Sequence, residues 1–461
     1  MTPYLYFSLG LIQALEAVQG TIMVSIMPYI VSEFYAKDQP FITAEELATQ
    51  VGRSSGILSG SFFLAAFFSS FLWGWASDKI GRRPVLLSGT AASIVATALF
   101  AVSNTFMYAL AVRFLIGLLN GNLGVLKSYL GEVTTSENQA SAFAFIAVVY
   151  AAASVVSPLA GGILGGKAPG MPYAFLPGIV SAVFAAIVFV LSFIFLPETS
   201  AFLNKKQSGS IRCADCSATN AMAKEPSQDS ISAIIRDRGV VLATITYATV
   251  CILHIATVTL LPILFQALGM SSTEVGVLFA VEGAALCAFQ MFCYPKLAKK
   301  FGIISLLRLA SILLSFSLLL PLACLYTANV FPIGHWATTI PLMLIVGLPT
   351  TTSFTCSNLL VNNSASSENR GAVNGLGQTL ACVSRSLGPV LIGTLWDFSI
   401  RMKAPYMPFL VLFILSFSLY GLALLTPPSL LHPKAGLESL KSGSDINHSA
   451  VQVELNQNIR N

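Results

Sequence analysis

Charge is what this chain has least of. Its 461 residues include 25 Lys and Arg and 20 Asp and Glu, 10% of the total, where a soluble domain carries about 25%. A soluble enzyme is thereby excluded. No run of five like charges occurs and the net charge of +5 is scattered, so neither nucleic acid nor an acidic partner is expected. Histidine is scarce, at four residues. The eight cysteines form no disulfide framework, because Cys251, Cys287, Cys293, Cys324, Cys356 and Cys382 fall inside apolar segments and read as small packing residues. Cys213 and Cys216 make a C-x-x-C in a polar loop, but no second pair or nearby His completes a tetrahedral zinc set. No metal site and no cofactor are expected.

What the chain has instead is apolar surface: 55% of it is hydrophobic, with a mean hydropathy of +0.76. Twelve spanning helices of about 20 residues would use roughly 240 residues, which that fraction can supply. Apolar runs bounded by charge or Pro/Gly clusters predict spans near 3–31, 54–75, 84–103, 106–131, 139–165 and 173–196. A second set lies near 239–266, 273–294, 303–326, 337–361, 372–396 and 405–426. The expected class is an all-α membrane protein of two six-helix bundles, residues 1–196 and 239–426, with a polar connector at 197–238 and a polar tail at 427–461. The first apolar run is too long for a signal-peptide core and lacks a basic leader, so it is expected to remain as the first span.

Basic residues set the orientation, since positive charge stays on the cytoplasmic side of short loops. With the N-terminus inside, thirteen basic residues face the cytoplasm, among them Lys79, Arg82, Arg83, Lys296, Lys299 and Lys300. Only Lys37, Arg53, Lys167, Arg401 and Lys403 face away. Both termini are therefore expected in the cytoplasm, where the sequons at Asn362 and Asn447 escape glycosylation. Plasma and vacuolar or lysosomal membranes are not separated by the sequence.

The chain also repeats itself. Ser136-Glu137-Asn138-Gln139 and Ser367-Glu368-Asn369-Arg370 open spans 5 and 11 at an offset of 231, and the same offset aligns Ser157-Pro158 with Gly388-Pro389 and Gly162 with Gly393. A duplicated six-helix unit of this kind places a substrate site between its halves near the bilayer midplane.

The loop after span 2 reads Gly74-Trp75-Ala76-Ser77-Asp78-Lys79-Ile80-Gly81-Arg82-Arg83-Pro84, and resembles the G-x-x-x-D-x-x-G-R-R signature of the major facilitator superfamily. The resemblance implies that the carboxylate of Asp78 sits against the opposite bundle in the outward-facing state and that Arg82 pairs with an acid at the end of span 4, where Glu132 stands. Gly74, Asp78, Gly81, Arg82, Arg83 and Glu132 are thus expected to form a conformational latch. The corresponding loop after span 8 keeps Gly302 but has Lys299 in place of the acid. In span 5, Ser157, Pro158, Gly161 and Gly162 resemble the G-P-x-x-G-G antiporter motif with its first glycine replaced; a proline kink with glycine packing is the competing reading. Glu16-Ala17, Arg113 to Tyr129, Asn374-Gly375 and Arg385 resemble the zinc-induced facilitator-like branch of twelve-helix drug:proton antiporters, which implies proton-driven export of small organic molecules, drugs or metal chelators.

An ionised group at a helix centre costs about 2.5–3.5 kcal/mol on insertion scales, which singles out Glu16, Glu282 and Arg385. Arg113, Gly117, Asn120, Gly124 and Lys127 recur at helical spacing on span 4, with Lys127 placed to snorkel, as is Arg308 on span 9. Polar stripes follow on span 7 (Thr244, Tyr247, Cys251, His254), span 10 (Thr351, Thr355, Asn358) and span 11 (Asn374, Gln378, Arg385). Glu16 and Arg113 are expected to couple protons. Gln19, Asn120, His254, Glu282, Thr355, Asn358, Gln378 and Arg385 are expected to line the substrate cavity; structural ion pairing is the competing reading for the charged residues. Gly52-Arg53-Ser54-Ser55-Gly56 fits G-x-S-x-G only by letters, since it starts a helix, and Gly56 and Gly60 read as close helix contacts. The expected function is secondary transport of a small molecule against protons by a monomer in the lipid bilayer, probed against two alternatives: nutrient symport or facilitation, and a receptor on the same fold.

Overall fold

The computed structural model of the chain describes residues 3–134, 139–199, 236–322, 335–365 and 370–431. Ser136–Asn138, Ser367–Asn369, Cys213, Cys216, Cys324 and Asn447 lie outside the described residues. No strand occurs among the described residues, and eleven of their helices are long and apolar enough to cross a membrane.

The first half holds α1 (Pro3–Thr21), α2 (Met27–Asp38), α3 (Ala44–Ile80), α4 (Arg82–Ala101), α5 (Phe106–Leu119), α6 (Asn122–Val133), α7 (Gln139–Leu164) and α8 (Phe175–Phe195). The second holds α9 (Arg238–Ala267), α10 (Ser272–Phe292), α11 (Tyr294–Phe301), α12 (Ile303–Ser317), α13 (His335–Ser364), α14 (Arg370–Arg401) and α15 (Met407–Leu425). These fifteen described helices make twelve passes, because spans 1 and 4 are each divided and the short α11 lies between spans 8 and 9. Span 1 breaks at residues 22–26, where Pro28 starts the next helix, so it is α1 plus α2 and not one run. It also carries Gln13, Glu16 and Gln19, and it is the pass missing from the eleven. Span 2 begins ten residues earlier than its apolar run, because Thr43 and Glu46 form a capping box that satisfies the first free N–H groups. The basic segment at 294–301 is itself helical, a feature hydropathy alone did not predict.

Packing repeats with the sequence. Within the first half the main pairings are spans 1 with 5, 2 with 4 and 3 with 6; the second repeats them as 7 with 11, 8 with 10 and 9 with 12, while span 10 packs more extensively on spans 9 and 7. Gly81 and Gly302 are equivalent hinges, each joining two helices with φ of 106° and 75°, a region closed to most side chains. Spans 6 and 12 turn Val183, Ile187, Val190 and Phe193, and Leu410, Ile414 and Phe417, outward, as lipid contact requires.

The halves meet through spans 2 and 11 and spans 5 and 8. Gly56 lies against the Pro389 backbone and Gly393, and Gly162 against Ser272 and Gly276. The 231-residue offset equates Gly162 with Gly393, one from each seam, and both seams are built from helix backbones in direct contact. They close one end of the molecule, which Tyr29, Tyr173 and Ser272 bolt: Tyr29 donates to the Met270 carbonyl at 2.5 Å, Tyr173 Oη meets Ser272 Oγ at 2.7 Å, and the two rings stack at 5.8 Å. At the other end, Leu72, Trp75, Lys127 and Gln378 are exposed, and a Cβ at Gly74, Gly124 or Gly375 would meet nothing within 4 Å. A cleft between the bundles opens there.

Candidate functional site

Glu16 sits on α1 at 4% exposure. Its Oε2 accepts from Asn120 Nδ2 at 2.8 Å and its Oε1 from Asn122 Nδ2 at 2.9 Å. Two donors from residues two apart cannot reach one carboxylate from a continuous helix face. They do so because span 4 is interrupted at Asn120-Gly121, where Trp73 packs over Gly121 and its indole N–H caps the freed Leu118 carbonyl at 2.8 Å. Gly89 on span 3 leaves the space that the Asn122 amide fills.

This interruption corrects the expected polar face. Gly117 packs on the Phe62 carbonyl of span 2, whereas Gly124 and Lys127 are exposed beyond the break. Arg113, at 7% exposure, makes no ion pair with Glu16: it lies seven residues, about 10 Å of helix, from Asn120. Its guanidinium stands over Phe62 at 5.5 Å and Phe100 at 5.6 Å, with Nε unbonded, beside a small cavity between spans 1, 2 and 7 under the closed end. The carboxylate and the guanidinium are thus separate buried centres. Gln19 is likewise buried. At 4% exposure it accepts from Ser93 of span 3 at 3.3 Å.

In the second bundle, His254 and Glu282 line one pocket with Thr350 and Thr351, and His254 leans on Phe354 at 5.9 Å. Glu282 fits because Gly347 has no side chain at that point. Gly347→Ala is expected to lower thermal stability by about 1–3 kcal/mol through overpacking, read as a lower melting temperature that Glu282→Ala restores. Thr355 accepts from Gln290 at 3.2 Å, Asn358 accepts from Asn362 at 3.3 Å, and Gln378 reaches Tyr247 at 3.5 Å. Arg385 stands among Tyr247, Cys251 and Cys382 and, across the cleft, Tyr150. Glu282 and Arg385 form no salt bridge. Arg308, placed to snorkel by its sequence position, instead donates to the Ala423 carbonyl near the end of span 12 at 3.0 Å.

At the open end Arg82 joins Asp78 at 2.6 Å and Glu132 at 2.9 Å, and also bonds Ser77. The Asp78 side chain is 62% exposed, and among the described residues its ion pair is with Arg82 of its own bundle. Arg83 donates to the Phe193 carbonyl at 2.8 Å, while Glu198 accepts the Arg82 and Arg83 backbone N–H groups at 3.0 and 3.2 Å. Gly74 lies in open space and Gly81 supplies the turn. In span 5, Ser157 bonds back to Ala153, the Pro158 carbonyl accepts from Ser25 at 2.7 Å, Gly161 abuts span 1 at Ile22, and Gly162 carries the seam to span 8. Asn122, Tyr150, Trp73 and Glu198 belong to these centres but carried no periodic signal that marked them.

The family model for the Major Facilitator Superfamily matches residues 9–389. The chain is 27% identical over 418 residues to Protein ZINC INDUCED FACILITATOR 1 of Arabidopsis thaliana, covering 82% of this chain and 84% of that protein. It is 24% identical over 465 residues to the Major facilitator superfamily multidrug transporter mfsB of Aspergillus fumigatus, covering 80% and 75%. Among solved structures, a bacterial homolog to the human lysosomal transporter Spinster, inward-facing and unoccupied, superposes with a TM-score of 0.71 at 13% identity, over 94% of this chain and 98% of that one. Apolar passes, duplicated packing and the family match agree: the chain belongs to the major facilitator superfamily and is a multi-pass membrane transporter of small molecules, not an enzyme.

Proposed function

We propose that this transporter exchanges protons for a small organic molecule, drug or metal chelator by alternating access. The observation that carries the reading is Glu16: a buried carboxylate that, among the described residues, is held by the neutral amides of Asn120 and Asn122 and paired with no cation, at a break in span 4. Proton loss or gain there changes the cost of occluding the centre. Arg113 responds to the same change from its separate pocket, while His254, Glu282, Thr355, Asn358, Gln378 and Arg385 shape binding in the other half. The halves 1–196 and 239–426 rock as units joined by 197–238.

The excess of basic residues at the open end supports a cytoplasmic opening with both termini inside. Asp78, Arg82 and Glu132 are the latch of the opposite state, unlocked in this one. Asp78→Asn is expected to keep the Arg82–Glu132 contact and to slow turnover about tenfold, the worth of one charge-assisted hydrogen bond; unchanged initial rates argue against a latch. Similarity to a multidrug transporter supports a drug or similar organic molecule as the substrate. The decisive measurement is reconstitution with an imposed pH gradient and a panel of drugs and chelators. Substrate moving against the proton flow supports antiport, movement with it means symport, and no flux with any compound means a receptor.

A further inference from the structure

Arg113 is a permanent charge that meets no opposite charge. It is 7% exposed, and the ion pairs among described residues, Glu33–Lys37, Asp78–Arg82, Glu132–Arg82 and Asp397–Arg401, leave it out. Its guanidinium stands over the rings of Phe62 and Phe100, but two ring faces return less than burying an unpaired cation costs. Its Nε is buried without a hydrogen-bond partner among the described residues. So is the hydroxyl of Ser55, which is 1% exposed on span 2. Both side chains line the same cavity, of about 50 Å³. Two unused donors and a full positive charge around one void call for an acceptor that carries negative charge.

Size decides which acceptor fits. A buried water needs about 10–15 Å³ of such space, and organic ligands occupy pockets of about 300–1,000 Å³. The cavity therefore takes one small ion, with room for a water, and excludes a drug or chelator. No acid is among the described residues that line it, and its other walls are apolar, from Val24 and Met27 of span 1 to Ile255, Val258 and Pro262 of span 7. Such walls suit a monatomic anion better than phosphate or sulfate, which need more donors than Arg113 and Ser55 supply.

We propose that Arg113 and Ser55 hold a halide ion, chloride under cellular conditions, as a resident counter-ion and not as cargo. Spans 1, 2 and 4 of the first bundle and span 7 of the second all contribute to the walls. The site is complete only while the end bolted by Tyr29 and Tyr173 is shut, so chloride favours the state in which that end is closed. This effect on state rests on alternating access; the site itself does not, and it is independent of the Glu16 centre.

The test is chloride titration of the purified full chain, with gluconate as the replacement anion at constant ionic strength, read as thermal unfolding and as equilibrium binding of radioactive chloride. The melting temperature is expected to rise saturably with chloride and with bromide but not with gluconate, which is too large for the cavity. Ser55→Ala is expected to weaken chloride about tenfold, and Arg113→Gln to abolish its binding. Gly20→Leu tests the location. Gly20 lines the cavity and a Cβ there meets nothing within 4 Å, so the new side chain fills the void with both donors intact and should weaken chloride at least as much. Ser55→Ala removes one small group and keeps the fold, so it decides even where Arg113→Gln does not fold. No saturable response to chloride, an equal response to gluconate, or chloride affinity unchanged in Ser55→Ala or in Gly20→Leu overturns the inference. Saturable binding without any substrate flux in proteoliposomes supports the site and removes antiport alone.

Discussion

Glu16→Gln is expected to reduce pH-driven flux roughly 100-fold. The charge that Glu16 carries or sheds is worth about 2.5–3.5 kcal/mol inside a bilayer, and that difference is what a proton gradient acts on; a neutral amide fixes the equilibrium near its protonated position. The fold should be indifferent, because Gln keeps an acceptor for Asn120 and the site is already amide-lined. The measurement pairs initial rates under an imposed pH gradient with substrate exchange in its absence. Loss of the first with retention of the second is the expected signature. Wild-type rates under the gradient would remove Glu16 from the mechanism. Asn120→Ala should have a smaller effect, about tenfold, since Asn122 still holds the other oxygen.

Gly56→Val and Gly162→Val are expected to force the closed end apart. A side chain at Gly56 meets the Pro389 carbonyl and Gly393, and one at Gly162 meets the Ser272 carbonyl and Gly276; these are backbone atoms that cannot rotate aside. Overpacking of about 1–3 kcal/mol at each seam shifts the balance between states by roughly tenfold or more per site. A cysteine placed at Thr259, which lines the cavity beneath the bolt, should then react faster with an impermeant maleimide added from the Tyr173 side. Gly421→Val on α15, where the new side chain meets nothing within 4 Å and which belongs to neither seam, is the control and should leave the rate unchanged. Equal labelling in all three variants would show that the seams do not hold the end shut.

Hydropathy located the passes because lipid demands continuous apolar length, and the 231-residue offset picked out Gly162 and Gly393, one glycine from each seam, because backbone contact admits few substitutes. The Asp78 loop and Glu132 were legible for the same reason: charged residues at a short turn have few partners. Asn122 was not. A regular helix puts it off the face of Asn120, and only the break at Gly121, stabilised by Trp73 from another span, brings both to Glu16. The bond from Ser93 to Gln19 was not legible either, since it depends on how spans 1 and 3 cross. Tyr150 and Glu198 act through neighbours more than 40 residues away in sequence, information that no local pattern holds.

Asn122 leaves one consequence for the proton itself. Its Nδ2 faces Glu16 while its Oδ1 has no hydrogen-bond donor, so the side chain carries an idle acceptor beside a group that gains an O–H when it takes up a proton. A half-turn of the amide exchanges one end for the other, letting the same residue greet either ionic form while the backbone stays where it is. Read this way, the joint in span 4 is a two-position valve whose handle is a single carboxamide.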